Sequence, residues 1–172
     1  CGRWGSFISW YLAGSGHSVT EWGRAEGKAF NELKENGRNE YVELDERINL
    51  TSDLEYAVKN SEAIVISIKS QSLREFAREI ATYGAKDKKI ILCMKGLEEN
   101  TGKRLTEIMI EEGYDKDKIA VWVGPGHIQE FTRGKPNCMV IDGYNAELVR
   151  ELADEFKSKL IRFYYGDDII DS

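Results

Sequence analysis

A glycine turn that opens directly into an apolar segment is the first place where residue types and spacing suit a chemical role. It lies in CGRWGSF (residues 1–7), where Gly2 and Gly5 have the spacing of the second and third glycines of G-x-G-x-x-G. In that fingerprint the second glycine lets the backbone approach a pyrophosphate, and the third lets a helix pack closely on a strand. The pair predicts a dinucleotide-binding turn, with an ordinary structural turn as the alternative.

Two basic residues stand just beyond predicted strands. Arg24 follows SVTEW (18–22), at a position about 20 residues after the glycine turn where an acidic residue favours NAD and an arginine accommodates the 2′-phosphate of NADP. Lys95 follows KIILCM (89–94), and a cation at a strand end can hold a phosphate or polarise a carbonyl oxygen. A solvated arginine and a surface lysine are the alternative interpretations.

A second glycine-containing turn occurs in VGPGHIQEF (123–131). Gly124 and Gly126 flank a proline and leave backbone N–H groups free at a predicted helix start, which suits an anion. The alternative is a tight turn from strand to helix. His127 offers an acid or a base, although a histidine beside a turn is more often structural.

Apolar, β-branched runs alternate with amphipathic segments along the whole chain. AIVISI (63–68) is continuously apolar, as in a strand buried on both faces, and SDLE (52–55) predicts a capping box of Ser52 and Glu55. Alternating strands and helices predict an α/β domain over residues 1–172: a Rossmann-like, doubly wound, mostly parallel sheet with helices on both faces. The predicted strands are 18–22, 63–68, 89–94, 119–123, 137–141 and 160–165.

Composition and charge narrow the function classes. Of the 172 residues, 41% are hydrophobic and 31% are charged, which is typical of a globular domain. No apolar run reaches the roughly 18 residues of a membrane span, and no signal peptide is evident, so we expect a cytoplasmic protein. The net charge of −6 argues against nucleic acid as a partner. Cys1, Cys93 and Cys138 lack metal-binding spacing and are expected to be reduced, buried thiols, with no metal site.

Taken together, six stretches resemble the bacterial-type NAD(P)-dependent sn-glycerol-3-phosphate dehydrogenases, and the resemblance runs through essentially the whole chain. The family reversibly reduces dihydroxyacetone phosphate to sn-glycerol 3-phosphate by hydride transfer from the nicotinamide cofactor, feeding phospholipid synthesis. The stretches, which follow the family's order and spacing, are GRWGSF, HSVTEWGR, VISIKSQSLRE, MKGLEENTGKRLTE, VGPGHIQEFTRGKPN and GDDII.

The resemblance implies a role for each residue that matches a family motif. Lys95 corresponds to the lysine that touches both cofactor and substrate, and it is the expected catalytic residue. The expected cofactor-binding residues are Gly2, Arg3, Trp4, Gly5, Arg24, Lys95 and Ile128, and the expected substrate-binding residues are Lys95, Gly124 and Gly126.

Three positions depart from the family pattern. Lys69 replaces a usual proline, Gly126 replaces a usual serine, and Glu21 stands where an apolar residue is usual. Arg24 together with Lys69 slightly favours NADP over NAD. The loss of a hydroxyl at residue 126 leaves only backbone donors for the substrate, so the substrate and the catalytic competence of this chain stay open.

The resemblance also implies parts beyond these residues. A strand ending in the first fingerprint glycine would precede Cys1, and a helical domain with a general-base lysine would follow GDDIIDS (166–172). We therefore expect residues 1–172 not to catalyse hydride transfer alone, and a homodimer is possible for the longer protein. The alternatives are another dehydrogenase with the same cofactor domain, or a dinucleotide-binding module or degenerate paralogue without catalysis.

Overall fold

Two sheets organise the computed structural model, which describes residues 1–165. The smaller sheet pairs β1 (Thr20–Trp22) with β2 (Asn49–Thr51), and the larger has the order β3-β4-β5-β6-β7. All of these neighbours are parallel except β5 and β6. The larger sheet contains β3 (Ala63–Ile66), β4 (Lys89–Leu92), β5 (Ile119–Val123), β6 (Asn137–Gly143) and β7 (Ile161–Tyr165).

Helices cover both faces of the larger sheet because successive side chains of a strand point to opposite faces. On β4, Ile91 joins a core cluster with the first and last helices, whereas Ile90 and Leu92 join a second cluster with the central helices. This confirms the predicted mostly parallel α/β fold. The helices are α1 (Arg3–Gly14), α2 (Lys28–Asn36), α3 (Leu54–Lys59), α4 (Leu73–Ala81), α5 (Leu105–Glu111), α6 (Ile128–Thr132) and α7 (Ala146–Phe156).

Strand direction sets where the candidate site residues lie. In β3, β4 and β5, Ile66 pairs with Leu92 and Leu92 pairs with Val121, all in parallel. The loops that follow these three strands therefore begin at the same edge of the sheet, where ligands bind in open α/β folds. β6 and β7 run the opposite way because β6 is antiparallel to β5.

Three local predictions were wrong for identifiable reasons. The cap of α3 is Asp53, whose carboxylate accepts from the backbone N–H of Tyr56 (2.9 Å), so the Ser52–Glu55 capping box does not form. In β3 only Ile66 is buried, because β3 is an edge strand of the larger sheet among the described residues. Cys138 is exposed and Cys1 is only partly buried, whereas Cys93 is buried as predicted; all three are free thiols.

Within residues 1–165, no helix has the length and apolar character that crossing a membrane requires. The same residues contain no group of three or more side chains placed to hold a metal ion. The predicted GDDII stretch (166–170) lies outside the described residues.

Candidate functional site

The glycine turn forms the start of α1. Gly2 is extended, and its carbonyl oxygen accepts the first helical hydrogen bond, from the N–H of Ser6 (2.9 Å). The N–H groups of a helix's first turn have no acceptor within the helix. A Cβ added at Gly2 or Gly5 would meet no described atom within 4 Å, and the first turn holds no acidic residue. The backbone N–H groups at the start of α1 therefore face open space, where they can bind an anion.

Arg3 and Trp4, inside this turn, have different surroundings. The guanidinium of the exposed Arg3 lies 4.7 Å from the ring centroid of Tyr41, a cation–π contact with the segment between α2 and β2. Trp4 packs edge-on against Phe7, with ring centroids 5.5 Å apart. Contacts of Arg3 and Trp4 with a dinucleotide remain predictions. No local pattern indicated a role for Tyr41, since its partner lies 38 positions away in the chain.

The end of β1 lies beside the glycine turn. The backbone nitrogen of Cys1 donates to the carbonyl oxygen of Trp22 (2.5 Å), and a Cβ added at Gly23 would lie 2.5 Å from the sulfur of Cys1. Arg24 follows Gly23 and is exposed; its side chain has no hydrogen-bond or ion-pair partner among residues 1–165. The structure therefore brings the loop of Arg24 next to Gly2, as the fingerprint requires.

A buried carboxyl group lies between β1 and α1. Glu21 is only 4% exposed and accepts a hydrogen bond from the Ser6 hydroxyl at Oε1 (2.8 Å). Its Oε2 atom is buried without a hydrogen-bond partner in the described part of the chain. Burial raises the pKa of this carboxyl group above its usual range, because desolvation disfavours the charged form.

The loops after β3 and β4 are joined to each other. Gln71 donates from Nε2 to the carbonyl oxygen of Leu97 (2.8 Å) and accepts at Oε1 from the N–H of Glu99 (2.9 Å). Gly96 has a φ of +124°, and a Cβ there would also lie 3.1 Å from the Ser70 hydroxyl, so glycine suits this close approach.

Lys69 and Lys95 are held at this shared edge, each three residues beyond its strand. Both side chains are exposed. Lys95 has no hydrogen bond or ion pair to another residue within 1–165, which leaves its ammonium group available to a ligand.

The turn after β5 is tightly packed. A Cβ at Gly126 would lie 2.1 Å from Cε2 of Phe131, so the serine usual in the family does not fit against this ring as placed. A Cβ at Gly124 would lie 3.1 Å from Cα of Met139. Phe131 in turn stacks on Phe7 of α1, with centroids 5.2 Å apart. Both glycines thus have a packing reason, and their contacts with substrate stay predictions.

Ile128, the first residue of α6, is fully buried within the core cluster that contains α1. Its position beside a cofactor therefore remains a prediction.

Trp22 of β1 contacts a helix that packs on the larger sheet, because its indole lies 5.6 Å from the ring of Phe76 on α4. The sequence did not single out Phe76 or Phe131 for this role, because both fit the ordinary spacing of a buried helix face.

The comparisons with known proteins agree with this arrangement. The family model of the NAD-dependent glycerol-3-phosphate dehydrogenase N-terminus matches residues 1–149. The glycerol-3-phosphate dehydrogenase [NAD(P)+] of Moorella thermoacetica is 35% identical over 98% of this chain and 51% of its own length. The enzyme of the same name from Thermoanaerobacter sp. is 31% identical over the same shares. The chain spans about half the length of the curated relatives it matches.

Solved structures show the same fold. A glycerol-3-phosphate dehydrogenase from Coxiella burnetii superposes with a TM-score of 0.87 at 22% identity, covering 99% of this chain and 53% of that one. A ketopantoate reductase from Ralstonia solanacearum, described as putative, superposes with a TM-score of 0.65 at 12% identity over 95% of this chain and 57% of that one. The fold alone is thus shared by several reductases, and the match to residues 1–149 decides among them. The chain belongs to the family of NAD-dependent glycerol-3-phosphate dehydrogenase N-terminal domains.

Proposed function

We propose that residues 1–172 form the cofactor-binding domain of an enzyme that transfers hydride between NAD(P)H and dihydroxyacetone phosphate, giving sn-glycerol 3-phosphate. The observation that carries the proposal is the open glycine turn at the start of α1, placed directly against the end of β1 that bears Arg24. A cytoplasmic location, a possible homodimer and a role in phospholipid precursor supply belong to the same proposal.

The residues at the turn fit a dinucleotide. The free amides of the first turn of α1 bind the pyrophosphate, and the helix dipole adds to their attraction for its charge. Arg24 lies beside the adenosine ribose, where its guanidinium binds the 2′-phosphate of NADP through charged hydrogen bonds. When bound, the nicotinamide ring supplies or accepts the hydride.

Lys95 acts at the reacting oxygen of the substrate. Its ammonium group donates to the carbonyl oxygen of dihydroxyacetone phosphate and stabilises the negative charge that develops there as hydride arrives. The backbone N–H groups beside Gly124 and Gly126 bind further oxygens of the substrate. With glycine at residue 126 these contacts depend on the backbone alone.

Steady-state kinetics on the complete encoded protein test this proposal. We expect the absorbance of NADPH to fall when dihydroxyacetone phosphate is added, with turnover near the roughly 10 s⁻¹ of a median enzyme. Tight NADPH binding without turnover on this substrate would instead support a cofactor-binding module, which Gly126 favours because it lacks the usual hydroxyl. Turnover with ketopantoate but not with dihydroxyacetone phosphate would assign the chain to a related reductase.

A further inference from the structure

A bidentate ion pair connects the loop after β4 to α4. Arg74, in the first turn of α4, donates from Nε to Oε1 of Glu98 and from Nη2 to Oε2, both at 2.8 Å. Their side chains are only 21% and 14% exposed. Glu98 lies three residues after Lys95, so the pair fixes the chain just beyond the lysine. This fork geometry is available to arginine and not to lysine.

Glu98 also organises its own loop. Its backbone N–H donates to the carbonyl oxygen of Lys103 (2.9 Å), and its carbonyl oxygen accepts from the N–H of Gly102 (2.7 Å). The Thr101 hydroxyl donates to Oε2 at 2.5 Å. Arg74 lowers the pKa of the Glu98 carboxyl group to about 2, so the pair stays ionised at any ordinary pH. The Glu98 carboxylate therefore stabilises the conformation of the loop and also connects the loop to α4.

The far side of the same guanidinium reaches the end of α5. Arg74 Nη1 lies 2.7 Å from Glu112, and Nη2 lies 3.0 Å from Glu111. Arg74 thus contacts three carboxylates, of which Glu111 also pairs with Lys103 and Glu112 with Arg78, whereas Glu98 takes the bidentate contact. Arg78, one helical turn along α4, is 61% exposed and, within the part of the chain that the structure describes, forms its ion pair with Glu112. Loss of Arg74 removes the bidentate partner of Glu98, whereas loss of Arg78 leaves the Arg74–Glu98 pair intact.

We propose that Arg74 is a positioning residue for Lys95: through Glu98 it holds the loop after β4 so that the lysine ammonium group points at the reacting oxygen. The inference rests on the proposed function for the role of Lys95. Gln71 restrains the same loop through backbone groups of Leu97 and Glu99, not through the Glu98 carboxylate. A displacement of about 1 Å in a catalytic group can cost on the order of 100-fold in rate, so a loosened loop has a measurable effect.

Kinetics of Arg74→Met, Arg74→Lys and the control Arg78→Met in the complete protein test this inference. We expect Arg74→Met to lower kcat by about 10- to 100-fold while KM for NADPH changes by less than about threefold. Arg74→Lys keeps the charge but not the fork, so it should restore little of the loss. Arg78→Met should stay within about twofold of the wild type. Equal losses in Arg74→Met and Arg78→Met, or full recovery in Arg74→Lys, would overturn the inference.

Amide hydrogen exchange supplies a readout that does not depend on activity. We expect residues 96–104 to exchange about tenfold faster in Arg74→Met than in the wild type or Arg78→Met, because the loop opens more often. If the wild type does not turn over dihydroxyacetone phosphate, the proposed function fails, and the exchange result alone decides whether Arg74 holds the loop. Unchanged exchange in Arg74→Met overturns the inference. Should Arg74→Met fail to fold, Glu98→Gln serves in both experiments with the same expected results.

Discussion

The candidate site has two sides, which are held by different forces. The loops after β3 and β4 are fixed by hydrogen bonds and ion pairs, centred on Gln71 and Arg74. The glycine turn and the turn after β5 are fixed by aromatic packing, with Phe7 stacked on Phe131. Hydrogen bonds and ion pairs orient the loop that carries an exposed charged side chain. Close aromatic packing instead fixes the position of backbone N–H groups. Substitutions on the first side should change activity, and those on the second should change stability.

The largest expected effect is that of Lys95→Ala, on the polar side. Loss of the charge that stabilises the transition state should lower kcat/KM for dihydroxyacetone phosphate by about 100- to 1,000-fold. The free energy of unfolding should change by less than about 0.5 kcal/mol, because the side chain is exposed. Kinetics and urea titration measure the two quantities. Lys116→Ala, an exposed lysine before β5, is the control; near-normal kcat/KM in Lys95→Ala would remove the difference between the two sides.

Arg24→Ala tests whether a charge beside the glycine turn selects NADPH over NADH. A charged hydrogen bond of about 1.5 to 3 kcal/mol corresponds to a ten- to hundredfold loss of NADPH affinity. Binding of NADH should change by less than about threefold, because it lacks the 2′-phosphate. Fluorescence titration of both cofactors provides the measurement, with the exposed Arg162→Ala on β7 as control. Tighter binding of NADH than NADPH by the wild type would contradict the expected preference.

Gly126→Ser should lower the free energy of unfolding. Its Cβ would overlap the ring of Phe131, and overpacking of this kind costs about 1 to 3 kcal/mol. Urea unfolding measures the loss, which should shrink in the Phe131→Leu background because the two sites share one contact. Gly14→Ser is the matched control, since a Cβ at Gly14 meets no described atom within 4 Å. An equal cost at both glycines would show that the packed turn is not the sensitive element.

The smallest effect is expected for Glu21→Gln, the buried polar exception on the packed side. Because the folded-state pKa of Glu21 is raised, its contribution to stability is greatest below the ordinary value of 4.5 and is lost as pH rises through the folded-state pKa. Glutamine keeps the Ser6 contact without a charge, so the variant should be more stable than the wild type at pH 7.

Thermal unfolding from pH 4 to 8 measures this gain against Glu32→Gln, an exposed carboxylate on α2. The gain from Glu21→Gln should grow with pH, and a gain that is flat with pH would refute the assignment. The contribution of the Arg74–Glu98 pair to stability depends on pH in the opposite direction. Because the pKa of Glu98 is lowered, this contribution is lost only as pH falls from 4.5 through about 2.

Local sequence patterns predicted the elements well because their signals are local. Continuous β-branched runs predicted β4 and β5, and the glycine turn predicted the start of α1; the structure confirms all three. The loop of Arg24 lies beside Gly2, and Lys69 and Lys95 lie at one sheet edge because β3 and β4 are parallel. Family membership followed from several stretches read together, none of which was decisive alone.

The errors arose where distant neighbours decide the outcome. Burial of β3 depends on which strands pair with it, and exposure of Cys138 depends on which face of β6 a helix covers. The contact between Gly126 and Phe131 was not predicted, because it is a matter of side-chain packing that no spacing reveals. The Arg74–Glu98 pair joins positions 24 apart and likewise had no local signal.

Two free thiols, Cys93 and Cys138, differ in exposure, and their relative rates of modification report on the opening of the end of β4, which precedes Lys95. Cys93 lies two residues before the lysine, and burial raises the pKa of its thiol to about 12. Since the thiolate is the reactive species, an alkylating reagent reaches Cys93 only when the end of β4 opens. Cys138 is exposed and reacts from the start. The delay between the two modifications, followed by mass spectrometry, reports how often this strand end opens without any label being engineered into the protein.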